Sequence, residues 1–170
     1  MTETKSAKKV DLSGMGPLIA IVALVVSLTA SAALAFMHSK FSQGYVELGD
    51  GLKVAVTVAA NDSTREKGLS GKEGLGPDEG MLFLFDRPNT YGFWMKDMKF
   101  PIDIIWINDG TVVDITTDAT PPVPGEELAV YYPRVPVDKV LEVQAGFART
   151  HGLRTGLKAG IHIDSQKKVR

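Results

Sequence analysis

Residues 17–37, PLIAIVALVVSLTASAALAFM, carry no charge and reach the length of about 20 apolar residues that a helix needs to cross a bilayer. A buried helix of a soluble domain would show a polar face, and this stretch offers only Ser and Thr. Lys5, Lys8 and Lys9 precede it, whereas only Lys40 follows closely. The positive-inside rule then predicts a cytoplasmic N-terminal tail over 1–16 and export of everything after the span, placing the remainder in the periplasm or outside the cell. Ala33-Leu34-Ala35 would also suit a signal-peptide cleavage site, but the long apolar run and delayed polar flank favour a retained signal anchor. Both readings place the domain outside the cytoplasm.

A polar linker is predicted over 38–44, followed by one domain over 45–164 and a basic tail over 165–170. The chain has no cysteine, which removes disulfides, thiolate metal sites and thiol nucleophiles. His38, His151 and His162 form no HExxH or close pair, so no metal and no cofactor are expected. The net charge is −1 and the basic residues are mixed with acids, so no nucleic-acid partner is expected either.

Past the linker, short apolar runs alternate with Gly, Pro, Asn and Asp. Residues 45–48 and 53–59 flank Gly49-Asp50-Gly51 as a hairpin would, and 102–108 and 111–117 meet at Asn108-Asp109-Gly110, the clearest turn signal in the chain. Asn61-Asp62-Ser63-Thr64 can cap a short helix that Gly68 ends. Residues 81–85 (MLFLF) read as an interior strand, with further strands at 91–95, 139–143 and 160–164 and two helical turns within 145–151. Five prolines between 121 and 136 predict a surface loop with at most an edge strand at 128–132. The expected fold is mainly β: a single compact β-sandwich or squashed β-barrel with two short helices, preceded by one N-terminal transmembrane helix.

Several blocks resemble the domain-of-unknown-function 192 family, a family of bacteria and archaea with no assigned activity. They are Arg65-Glu66-Lys67-Gly68-Leu69, Gly80-Met81-Leu82-Phe83-Leu84-Phe85, Gly92-Phe93-Trp94-Met95-Lys96-Asp97-Met98, Pro101-Ile102-Asp103-Ile104-Ile105-Trp106-Ile107, and Val140-Leu141-Glu142-Val143 followed by Ala145-Gly146. The resemblance covers the whole exported domain and implies a compact, mostly β, frequently exported fold, but no reaction. Asp97 stands where the family usually has Asn, so an amide that donates is replaced by a carboxylate that only accepts.

Strand alternation would put Phe93, Met95 and Asp97 on one face and Trp94, Lys96 and Met98 on the other. Asp103, on the face of Ile105 and Ile107, needs a cation or several donors, and Arg65 or Lys96 would serve. Glu142 poses the same problem between Leu141 and Val143. The functional reading gathers Arg65, Trp94, Lys96, Asp97, Asp103 and Glu142 as ligand-binding residues around one concave pocket. The competing reading is an ion-pair network that fixes strand register. Gly68–Gly80 reads as a flexible surface loop that could rim the pocket.

Met81, Met95 and Met98 could offer thioethers to a soft metal but more commonly fill core gaps. The expected function is a membrane-tethered domain that binds a small polar or carbohydrate-like ligand or an envelope partner. One alternative is a hydrolase of envelope glycans using two of Asp97, Asp103 and Glu142. The other is a structural partner of membrane proteins with no pocket.

Overall fold

The computed structural model describes residues 42–164. The expected cytoplasmic tail over 1–16, transmembrane span over 17–37 and basic tail over 165–170 lie outside the described residues. Among the described residues, no helix is long and apolar enough to cross a membrane.

The chain runs β1 (Ser42–Leu48), β2 (Leu52–Ala59), α1 (Asp62–Lys67), β3 (Glu79–Asn89), β4 (Phe93–Trp94), β5 (Ile102–Asn108), β6 (Thr111–Ala119), β7 (Val130–Tyr131), β8 (Val137–Gln144), α2 (Phe147–Thr150) and β9 (Ala159–Ile163). The strand β1 starts at Ser42, inside the segment expected to be a linker.

Local chemistry explains most of these boundaries. Asp109 and Gly110 both hold positive φ, 45° and 64°, as a two-residue turn between right-twisted strands requires, and Asn108 pairs with Thr111 across it. Asn61 caps α1 by accepting a hydrogen bond from the Thr64 amide at 3.0 Å, while the Thr64 hydroxyl accepts one from the Asn61 amide at 3.1 Å.

Seven strands form one sheet in the order β6-β5-β8-β3-β2-β1-β9, and β4 and β7 pair in a separate two-stranded ribbon. Every pair in the large sheet is antiparallel except β2 with β3, whose parallel register demands a crossover. The crossover consists of α1 and the glycine-rich loop behind it.

The two edges of the sheet meet at one end. Val112 donates to the Leu157 carbonyl at 2.9 Å, Gly156 donates to Val112 at 2.8 Å, and Ala159 donates to Gly110 at 2.9 Å. The sheet is therefore a curled half-barrel, mainly β with two short helices. Of the two expected forms, sandwich or squashed barrel, it is no sandwich, because its edges meet at one end and only the small ribbon lies outside the sheet.

Each face of the central strands has its own core. Val46, Val56, Leu82, Ile105, Leu141 and Val143 pack inside the curl with Phe147 of α2. Met81, Phe83, Ile104, Trp106 and Val140 form the opposite face, covered by Leu69, Met95 and Met98. All three methionines are thus core residues of this second cluster. Residues 102–107 of β5 are fully buried because this strand is covered on both sides, which accounts for a run that is apolar at every position but Asp103.

The strand expected over 91–95 shrinks to Phe93–Trp94. Alternation holds through buried Met95 and then fails. A turn closes with Met98 donating to the Met95 carbonyl at 3.1 Å, and Asp97 takes φ 56°. Met98 is buried with Met95, while Lys96 and Asp97 are both exposed.

Candidate functional site

The second face carries a groove of about 390 Å3 between α1 with its following loop and the end of the β4–β7 ribbon. Its aromatic lining comes from β3, β4 and the link between them. Odd-numbered residues of β3 point to this face, so Phe83 and Phe85 line it, and Tyr91, Phe93 and Trp94 complete the wall. Phe93 meets Phe83 edge-on at 4.9 Å and Trp106 at 5.4 Å between centroids, while Phe85 and Tyr91 stack at 3.6 Å. Trp94 is left 47% exposed. Gly92 allows this arrangement, because a Cβ there would lie 2.8 Å from a ring carbon of Tyr132.

Glu142 lines the groove from the sheet itself. It lies on the same face as Val140, opposite Met81 of β3 and Ile104 of β5. Among the described residues it forms no hydrogen bond or ion pair, and the 5% of the residue that stays exposed lines the groove. Burial without a compensating cation disfavours the carboxylate, so its pKa is pushed up to about 8. Burial therefore favours the neutral acid, a form able both to donate and to accept a hydrogen bond.

Arg65 also lines the groove, but much of its guanidinium is engaged by the protein. It donates to the carbonyls of Ala60 at 3.0 Å and Leu84 at 2.6 Å, and to Asp62 at 2.7 Å. It also lies 5.1 Å from the Phe85 centroid. Arg65 therefore straps α1 to β3 and holds one rim of the groove in place.

Asp103 belongs elsewhere. It is fully buried on the inner face, where its carboxylate accepts from the Asp118 and Ala148 amides, each at 2.9 Å. The expected partnership with Arg65 or Lys96 gives way to two backbone donors, which tie the end of β6 and the start of α2 to β5. This is a structural role on the side of the sheet away from the groove.

Lys96 and Asp97 line a second, shallower depression of about 290 Å3, with Trp94 at its boundary. The Lys96 ammonium lies 5.7 Å from the Trp94 centroid. The loop after α1 is tied to this turn: the Ser70 hydroxyl donates to the Lys96 carbonyl at 2.8 Å, and the Gly71 amide donates to the Asp97 carbonyl at 2.9 Å.

Of the six residues named from sequence, Arg65, Trp94 and Glu142 share the groove, Lys96 and Asp97 with Trp94 share its neighbour, and Asp103 lies in neither. The glycine-rich segment contributes Gly68, Leu69 and Ser70 at its start. Sequence reading missed Phe83, Phe85, Tyr91 and Phe93 as wall residues. The odd positions of MLFLF were a usable signal, since one face of an interior strand has to carry them.

Among solved structures, the chain is similar to a protein from Sinorhizobium meliloti, provisionally titled a transcription regulator. The two are 32% identical with a TM-score of 0.66, and the match covers 71% of this chain and 95% of that one. It is also similar to a protein of unknown function from Novosphingobium aromaticivorans, at 29% identity and a TM-score of 0.61, covering 71% and 84% respectively. No curated protein matches. The model of the DUF192 family, described as uncharacterized ACR, matches residues 45–161, and the chain belongs to that family.

Proposed function

We propose that this is a membrane-tethered, extracytoplasmic domain that binds a small polar, carbohydrate-like ligand in the groove over Glu142. One observation carries the reading. A buried carboxyl without a protein partner opens onto an aromatic-walled groove beside a half-exposed indole. An acid held this far from bulk water has few partners of its own, and a ligand hydroxyl would supply one. The indole offers a flat apolar surface for a sugar ring, and the neutral acid offers one donor and one acceptor. Tethering rests on the uncharged run 17–37 and its upstream lysines.

The groove disfavours a purely structural partner without a pocket. The paired-carboxylate hydrolase loses support because Asp103 already serves two backbone amides, and Asp97 and Glu142 line different depressions. The regulator title belongs to the Sinorhizobium protein, and the −1 net charge of this chain gives no reason to extend it to nucleic acid here.

A thermal-shift screen of the full chain in detergent against mono- and disaccharides tests the reading. Stabilising sugars are expected to lose their effect in Trp94→Ala and Glu142→Leu, both of which remain folded. Sugars that stabilise both variants as well as the parent would refute the assignment.

A further inference from the structure

The groove and the shallower depression are not independent. Glu66, Lys67, Ser70 and Trp94 line both, so the indole stands at the boundary of one continuous surface. The two ends differ in chemistry. To the shared Glu66 and Lys67 the first adds aromatic rings and the buried acid of Glu142, whereas the second adds Lys96 and Asp97.

Among the described residues none of these four charged groups enters an ion pair, although oppositely charged neighbours share the same depression. Two cations and two anions leave no excess charge to select an ionic ligand, but they provide several free donors and acceptors. The loop-to-turn hydrogen bonds from Ser70 and Gly71 hold the carrier of Lys96 and Asp97 in place, and Asp97 keeps φ 56°, a conformation few non-glycine residues adopt.

We infer that the two depressions are adjoining subsites for a neutral oligosaccharide of at least two rings. One ring lies over Glu142 against the aromatic wall, and the next passes Trp94 to meet Lys96 and Asp97. This rests on reading the groove as a ligand site and adds the length and charge of the ligand. An uncharged polyhydroxyl chain fits because its ring faces stack on indole while its hydroxyls both donate and accept.

The test is calorimetric titration of the full chain with the chito-oligosaccharide series from one to four rings. Affinity is expected to rise by at least about tenfold from one ring to two, the effect of one or two added hydrogen bonds with some stacking, and to level off beyond. Lys96→Ala and Asp97→Gly, the latter compatible with positive φ, are expected to remove the second-ring gain and keep single-ring affinity. Trp94→Ala is expected to weaken every member.

Equal affinity for one ring and two would overturn the paired subsites and leave the groove reading standing. A second-ring gain that survives both Lys96→Ala and Asp97→Gly would overturn the placement of the second ring. Failure of all members to bind would overturn both the subsites and the groove reading.

Discussion

Replacing Glu142 by Gln is expected to stabilise the domain, increasingly so as pH rises. In the unfolded chain the carboxyl titrates near its ordinary value of 4.5, and in the folded protein it is pushed up to about 8 by burial. A raised folded pKa means that the folded state holds the proton more tightly. Its favourable contribution is complete below pH 4.5 and is lost progressively as pH rises through about 8. Each unit corresponds to about 1.4 kcal/mol. The interval therefore sets a ceiling of about 5 kcal/mol at pH 9 and about 3 kcal/mol at pH 7.

Glutamine occupies nearly the same volume and never ionises, so the variant avoids this loss. For a domain of this size each kcal/mol moves the melting midpoint by about 4 °C, so the variant should melt higher by up to about 12 °C at pH 7, with a wider gap at pH 9. Near pH 4 the two proteins should differ by little. Melting curves of both chains across pH 4–9 provide the assay. Parallel pH profiles would refute the reasoning, because they would mean that Glu142 ionises as freely in the folded protein as in the unfolded chain.

Asp103→Ala strands the buried Ala148 amide and frees the part-buried amide of Asp118, and should cost about 2 kcal/mol in chemical denaturation; a loss under about 0.5 kcal/mol would show that those bonds are not structural. Asp114 accepts hydrogen bonds from the Arg134 side chain and amide, and that partnership lowers its pKa, so its contribution is present above its ordinary 3.8 and is lost as pH falls through the lowered value. Asp114→Asn should therefore flatten the acid limb of the stability profile and speed hydrogen exchange across residues 121–136, and an unchanged acid limb would contradict this. Gly110→Ala meets only the Ala159 carbonyl oxygen at 3.5 Å, an ordinary contact, and so bears mainly the cost of φ 64°; it should lose about 1 kcal/mol in denaturant melts, and a much larger loss would point to a packing role for that turn.

The readable features were those set by local chemistry. The Asp109-Gly110 hairpin, the Asn61 cap with its Gly68 stop and the short strand within the proline-rich segment can each be read from a few adjacent residues. The family could also be read, because its blocks occur in order along the chain. Features set by distant contacts could not. Whether the sheet would stack or curl depends on Gly110 and Val112 meeting residues 156–159, which no local window contains.

Asp103 shows the same limit at one residue. Side-chain bookkeeping sought a cation for it, while its actual partners are main-chain amides at 118 and 148. For Glu142, alternation separates it from Leu141 and Val143 but cannot say which face is open, since β8 is buried on both. That depends on the ribbon pairing of Phe93 with Tyr131 and Trp94 with Val130, which stands the aromatic wall beside it. The expected alternation through Met98 failed because the chain turns at Asp97.

Ligand binding in the groove depends above all on Glu142 holding its proton there. Carbon-13 NMR titration of the glutamate side-chain carboxyls, with the Glu142 resonance assigned by its absence in Glu142→Gln, measures this directly. The account predicts a midpoint near 8 that shifts when a bound sugar engages the acid. A midpoint near 4.5, unmoved by any saccharide, would contradict it.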